Sequence, residues 1–239
     1  MIDPFSEKTF PYKPLPEELR EKYIEVFETE KMLRVPTLKR MFDILVSLLL
    51  IVFCMPVFFA LKLAYMVEGL IDPPSKGPLL FYYWAISGGR RIKKWKLRLI
   101  KIGYVDSELA RSHDWLAYAG EWNPAARTVV GRFVKKYYLD ELPQFWSVFI
   151  GDMSLVGRRP LAILHYERDL MQGNVTRKIL RGGLLGLGHN NKGTELMGQA
   201  EYEFMYAQMY LTKTGIQLVV EDLRIISKGI LLISKGGGH

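Results

Sequence analysis

The feature that most constrains this chain is the run ILVSLLLIVFCMPVFFAL at residues 44–61, which carries no charged side chain. A helix needs about 17 or more apolar residues to cross the hydrocarbon core of a bilayer, so the run sits near the short end of what can span one. Its flanks are basic at both ends, with Lys39 and Arg40 before it and Lys62 after it. Positive charge marks the cytoplasmic side of a membrane, which places both ends on that side. Pro56 lies inside the run, where the missing N–H and the ring clash bend or break a helix. A re-entrant helical hairpin that dips into one leaflet fits these features, provided that the backbone groups freed by the proline find partners within the protein. A spanning helix kinked at Pro56 and a buried core helix satisfy the length equally well.

Charge narrows the partners. The formal net charge is +8, and basic residues gather at Arg90, Arg91, Lys93, Lys94, Lys96, Arg98 and Lys101. Such an excess points to an anion: nucleic acid, acidic lipid headgroups or a phosphorylated small molecule. The apolar run and the nearby carboxylates suit nucleic acid poorly, and no nucleic acid is expected as a partner. Cys54, the single cysteine, sits within the apolar run, so neither a disulfide framework nor a cysteine zinc site is available, and a cytoplasmic working face follows. Residues 1–34, with Pro4, Pro11, Pro14 and Pro16 and then Glu21, Glu25, Glu28 and Glu30, lack the basic-then-apolar order of a signal peptide and read as an unprocessed polar extension.

Beyond the apolar run, the cluster DPPSKGP at residues 72–78 predicts a turn, LLFYYW a strand, and Gly88 and Gly89 a second turn before the basic stretch. Residues 106–119 alternate like a surface helix. From Thr128 to Ile150 the apolar positions follow a helical period that breaks near Leu139, where Asp140 and Glu141 lie. A glycine-rich loop at residues 181–193 precedes a helix rich in Met and Tyr, and residues 216–233 are amphipathic. The four histidines show no metal-ligand spacing, and His189 reads as a loop polar group.

The chemistry concentrates in LDELPQFWSVFIGDMSLVGRRP at residues 139–160, which holds adjacent carboxylates and paired arginines. A carboxylate can attack phosphorus to give an acyl phosphate, dividing one difficult transfer into two easier steps, while a divalent metal neutralises the phosphate oxygens. Asp140 and Glu141 can supply the nucleophile and a metal ligand. Arginine suits the remaining phosphate oxygens because its planar fork offers parallel donors, and Arg159 with Arg158 beside it is placed for that role. Taken alone, an Asp-Glu pair is more often a solvated helix end.

The stretch from Lys39 onward resembles the bacterial sugar transferase family, the monotopic phosphoglycosyl transferases. Four matches carry the resemblance: Lys39-Arg40 with Asp43, Pro56, the string GRFVKKYYLDELPQFWSVFIGDMSLVG before Arg159-Pro160, and Asp222-Leu223-Arg224. It implies that Asp140 attacks the phosphorus bearing the sugar of a UDP-sugar, that UMP leaves, and that polyprenyl phosphate collects the phosphosugar, initiating exopolysaccharide, capsule or related glycan synthesis. It further implies magnesium at Asp140 and Glu141, a phosphate on Arg159, and a re-entrant helix broken at Pro56 that holds the site on the cytoplasmic face of the bacterial inner membrane. Lys96 and Arg98 match the family's basic strand beside the nucleotide-sugar pocket; a basic face touching lipid phosphates is the competing reading.

Several positions depart from the family pattern. Arg158 replaces the first proline of Pro-Arg-Pro, Gly182 the proline of Arg-Pro-Gly, Met55 the serine of the helix break, and Leu99-Ile100 a Thr-Met or Ser-Met. Losing fixed prolines frees backbone torsions unless other contacts compensate, so a catalytically degenerate membrane-surface scaffold or assembly subunit is the alternative. The expected fold is mainly α with a small β component: a re-entrant membrane helical hairpin, interfacial amphipathic helices and a compact cytoplasmic catalytic body. The expected division is a polar extension at 1–35, the membrane helix at 36–68, the transferase domain at 69–235 and a tail at 236–239. Expected partners are a nucleotide sugar, polyprenyl phosphate and membrane lipids, and a homo-oligomer is compatible with this reading.

Overall fold

The computed structural model describes residues 15–186 and 200–234. The readings of the loop beyond residue 186, of His189 and of the tail at 236–239 lie outside those residues. In chain order the helices and strands begin with α1 (Glu17–Lys22), α2 (Ile24–Phe27), α3 (Thr37–Ile71), β1 (Leu80–Ser87) and β2 (Arg90–Leu97). Then come α4 (Ser107–Arg111), α5 (Val129–Lys136), α6 (Gln144–Ile150), β3 (Ser154–Val156) and β4 (Leu161–Ala162). The described chain closes with α7 (Ile163–Met171), α8 (Thr176–Ile179), β5 (Gly183–Leu185), α9 (Glu201–Thr212) and α10 (Gly215–Ser234). The fold is therefore mainly helical with a small sheet component, as the sequence predicts.

Two compact units make up the chain. One holds Leu49–Trp84 and Lys93–Trp146; the other holds Ala85–Ile92 and the described parts of Tyr12–Leu48 and Ser147–His239. The boundary falls inside α3, which is one continuous helix of 35 residues with Pro56 in its interior. The proline leaves no gap in the helix, because a helix is the cheapest way for an apolar segment to keep its remaining backbone groups paired. Among the described residues α3 is the one helix long and apolar enough to cross a membrane, and only 11% of its most apolar window is buried. A core helix would hide its apolar face; here Phe53, Phe59 and Leu70 are 76%, 73% and 82% exposed.

In the first unit, Leu61 and Tyr65 of α3 pack with Leu97, Leu99, Ile100, Ala126 and Val134 into a buried cluster. Helix α5 is fixed to this cluster at its start. The Thr128 hydroxyl caps it by accepting from the Gly131 amide at 2.7 Å, and the Glu68 carboxylate of α3 accepts from the amides of Val129 and Val130 at 2.6 and 3.0 Å. Gly131 is required there, since a Cβ would stand 2.0 Å from the Leu99 carbonyl oxygen. The surface helix expected at residues 106–119 is replaced by the short α4 and a 3-10 stretch, Trp115–Trp122. His113, at φ 55°, turns the chain between them, and Asp106 and Asp114 cap the two pieces separately.

The second unit pairs β3 and β5 in parallel, Ser154 opposite Gly183 and Val156 opposite Leu185. In its other sheet β4 runs antiparallel to β1, with Ala85 opposite Ala162. Phe27 of α2 stacks on Phe204 of α9 with centroids 4.9 Å apart. A buried polar cluster joins three distant stretches of sequence. Lys39 Nζ lies 2.5 Å from Asp43 and 2.5 Å from Asp222, and donates to the Ser154 hydroxyl at 2.7 Å. Ser154 donates to Asp43 at 2.8 Å, and the Tyr206 hydroxyl donates to Asp222 at 2.6 Å. Arg40, next in the chain, donates to the carbonyls of Val148 and Phe149 at 2.7 and 2.6 Å, closing the C-terminal end of α6.

Candidate active site

Asp140 owes its position to a break between two helices. Helix α5 ends at Lys136, Tyr138 takes a left-handed conformation at φ 55°, and Leu139–Glu141 form one 3-10 turn before α6 begins. A positive φ on a tyrosine costs backbone energy that the surroundings must repay. The turn carries Asp140 into the first unit, where it is 1% exposed, while Glu141 stays half-buried. The helical period broken near Leu139 is thus realised as this turn.

The Asp140 carboxylate faces lysines. Lys96 Nζ, from β2, stands 3.1 Å from Oδ2, and Lys135 Nζ, from the last turn of α5, stands 3.8 Å from the same oxygen. Lys96 also approaches Glu121 Oε2 at 3.4 Å. Oδ2 is thus ion-paired, and no described residue donates a hydrogen bond to Oδ1. A buried carboxylate normally has its lone pairs filled, so this one retains capacity for a ligand. Lys135 and Glu121 were not singled out by the sequence. Lys135 lies five residues before Asp140 and was legible as part of the same motif, whereas Glu121 carries no signal in its surroundings.

Arg98, expected beside the nucleotide-sugar pocket with Lys96, has a different setting. It is 1% exposed, and its guanidinium donates to three carbonyls: Pro78 at 2.9 Å, Ile100 at 2.6 Å and Ser75 at 2.8 Å. Burial lowers its pKa, and the three carbonyl dipoles stabilise the charge. Arg98 thereby ties the turn at residues 72–78 to the end of β2. Of the two basic residues, Lys96 is the one brought to Asp140.

The paired arginines belong to the second unit. Arg158 is buried and donates to Thr176 Oγ1 at 2.7 Å and to Asp169 at 2.8 Å, and it also pairs with Glu203. Burial lowers its pKa to about 9, an effect that Glu203 and Asp169 offset only in part. Its fork is committed to these partners, which hold the chain where the family has proline. Arg159 is half-buried, and its carbonyl accepts from Arg177 Nη1 at 2.7 Å. Gly182, the second departure from a family proline, is held as well. Its N–H donates to the Ser87 hydroxyl at 2.8 Å, its carbonyl accepts from the Ser154 amide at 2.8 Å, and a Cβ would lie 2.5 Å from Pro160 Cγ. The torsional freedom expected from these two substitutions is therefore offset by specific contacts.

Magnesium, implied by the family pattern, meets a suitable donor set. It is a hard cation that takes one or two carboxylates and completes its shell with water and substrate phosphates. Asp140 Oδ1, which accepts from no described donor, and Glu141, next in sequence, fit that requirement.

The bacterial sugar transferase family model matches residues 34–235. The chain is 33% identical over 204 residues to the UDP-glucose:undecaprenyl-phosphate glucose-1-phosphate transferase of Klebsiella pneumoniae, covering 83% of this chain and 40% of that protein. It is 33% identical over 157 residues to the enzyme of the same name from Escherichia coli strain K12, covering 64% of this chain and 31% of that one. It is 28% identical over 200 residues to the UDP-N-acetylgalactosamine-undecaprenyl-phosphate N-acetylgalactosaminephosphotransferase of Aeromonas hydrophila, covering 80% and 44%. The chain spans less than half the length of each of these relatives. With the family match extending from just before the apolar helix through its buried Asp-Glu turn to α10, this chain belongs to the bacterial sugar transferase family.

Proposed function

We propose that this protein transfers a sugar-1-phosphate from a UDP-sugar to polyprenyl phosphate through a covalent intermediate on Asp140. The observation that carries the reading is the buried Asp140 carboxylate, whose Oδ2 faces two lysines and whose Oδ1 accepts from no described donor. In the first step an Asp140 oxygen bonds to the phosphorus that bears the sugar, the bond from that phosphorus to the bridging oxygen breaks, and UMP leaves with the electron pair. In the second step a phosphate oxygen of polyprenyl phosphate bonds to the same phosphorus, and the acyl phosphate bond breaks to restore the carboxylate. Lys96 and Lys135 orient the carboxylate and offer cationic partners to the incoming phosphate oxygens. Asp140 and Glu141 would hold magnesium, which when bound neutralises diphosphate charge. In the first unit Lys96 is assigned to a phosphate and Arg98, committed to protein acceptors, acts as a positioning residue; in the second, Arg159 is assigned to a phosphate and Arg158, likewise committed, positions the chain.

The apolar surface supports a membrane setting. The exposed face of α3 would enter one leaflet as a re-entrant helix bent at Pro56, with the catalytic body at the cytoplasmic face. Val129 and Phe133 of α5 and Tyr137, the residue just past its end, recur at four-residue spacing and are 63%, 53% and 54% exposed. Such a stripe suits a helix lying in the headgroup region.

The test is UMP release by the full chain in nanodiscs with magnesium, polyprenyl phosphate and a panel of UDP-sugars, beside Asp140→Asn. The expected result is release with one or more donors and a phosphosugar–protein mass adduct, both lost in a folded Asp140→Asn protein. An Asp140→Asn protein that keeps its rate would refute the covalent step. Silence of the folded wild type across the panel would favour the scaffold role.

A further inference from the structure

The second unit contains a cationic cleft outside the residues assigned to transfer. It has a volume of about 450 Å³, and Arg34, Arg40, Arg90 and Arg181 line it with a single carboxylate, Asp152. That volume falls within the range of small-ligand clefts. A smaller space of about 90 Å³ shares Arg90, Asp152 and Arg181 with it and adds Ser87.

These arginines have unequal roles. Arg40 is fixed by its two carbonyl partners at the end of α6. No described residue forms a hydrogen bond or an ion pair with the side chain of Arg34, Arg90 or Arg181. Arg181 is half-buried, and its pKa is pushed down by burial and by the neighbouring Arg40 and Arg90 charges. Burial pushes the Asp152 carboxyl up while Arg181 pulls it down, yet the two form no ion pair. Gly151, at φ 98°, passes the chain beneath the guanidiniums without a side chain; a Cβ there would be 3.2 Å from Arg40 Nη2 and 3.8 Å from Arg181 Nη1. Guanidiniums crowded around an open space repel one another until an anion enters, and several planar forks around one space suit the several oxygens of a phosphate.

The position of the cleft in the chain indicates where its anion comes from. Arg34 stands just before α3 and Arg40 lies in its first turns, so the cleft opens at the end of the helix that carries the exposed apolar face. Groups flanking such a segment lie at headgroup depth. We infer that this cleft is a binding site for a phosphate group, supplied by an anionic lipid headgroup or by a free phosphorylated compound.

The test uses the full chain and two arms. Calorimetric titration with inorganic pyrophosphate in non-ionic detergent reports free phosphate, and flotation on phosphatidylcholine vesicles with or without phosphatidic acid reports the headgroup. The variant is Arg34→Gln with Arg90→Gln, both exposed positions, and the control is Arg111→Gln, an exposed arginine of α4. Losing charge-assisted hydrogen bonds should weaken binding about tenfold or more in the arm that binds, with the control unchanged. Pyrophosphate binding that depends on the two arginines identifies a soluble anion. Binding confined to phosphatidic acid vesicles, with the same dependence, identifies the headgroup. Absence of binding in both arms, or equal binding by the variant and the wild type, would overturn the assignment. Because neither arm requires turnover, failure here leaves the Asp140 chemistry untouched, and failure of that chemistry leaves the cleft in place.

Discussion

Replacing Lys39 with methionine removes the one cation from a site with two carboxylates. Lys39, Asp43 and Asp222 have fully buried side chains, so the variant strands both acids without a counter-charge. Methionine fills most of the lysine volume, which keeps the cavity contribution small. Breaking a buried ion pair from one side costs about 3–5 kcal/mol, and for a chain of this length each kcal/mol lowers Tm by about 2–4 °C. Lys39→Met should therefore unfold about 6–20 °C below the wild type in a thermal scan in non-ionic detergent. Burial already pushes the Asp222 carboxyl up and Lys39 pulls it down, so without the lysine its folded pKa rises further above its unfolded value. Such a group stabilises the fold below its unfolded pKa and loses that contribution as pH rises through the folded one. The deficit of the variant should thus be smallest in acid and grow toward neutral pH. Adding Asp222→Asn should recover part of the loss, because the cycle removes the orphaned charge. A Tm loss below about 2 °C at neutral pH, or a double variant no better than the single one, would refute the reasoning.

Gly182→Pro, which restores the family residue, should destabilise this chain by about 1–3 kcal/mol because it deletes the N–H that donates to Ser87 and crowds Pro160; denaturant titration checks it. Gly131→Ala should lower stability by several degrees or abolish folding, since the new Cβ meets the Leu99 carbonyl at 2.0 Å; near-UV circular dichroism reports the packing. His165 has its pKa lowered from 6.5 by burial first and by Arg168 next. The unfolded chain therefore binds more protons there, and stability falls as pH drops below about 6.5 toward the folded pKa. His165→Gln should flatten that acid slope, as read by Tm between pH 7 and pH 5.

The apolar helix, the break at Leu139 and the strands around Gly88 and Gly89 were legible because each is a local pattern of charge, period or turn residues. The motif residues Lys39, Asp43 and Asp222 were legible as separate matches. Their meeting was not, since burying three charges together depends on α10 returning to the start of α3 across most of the chain. Arg98 and Lys96 look alike in sequence, two residues apart on one basic strand, and only the surroundings separate a carbonyl clamp from a partner of Asp140. Pro56 was legible as a break in a helix, yet the helix continues through it. A proline forfeits one hydrogen bond, and in an apolar segment the remaining backbone groups have nowhere better to bond.

The clasp between Glu68 and the first amides of α5 makes α3 a ruler for the turn that bears Asp140. Glu68 lies one turn from the end of α3, and α5 leads directly into the turn bearing Asp140. A helix advances about 1.5 Å and turns about 100° per residue. One residue inserted between Pro56 and Glu68 would therefore displace and rotate the carboxylate away from both amides. The number of residues on that stretch of helix sets how far the carboxylate near its end stands from the exposed apolar side chains along its length.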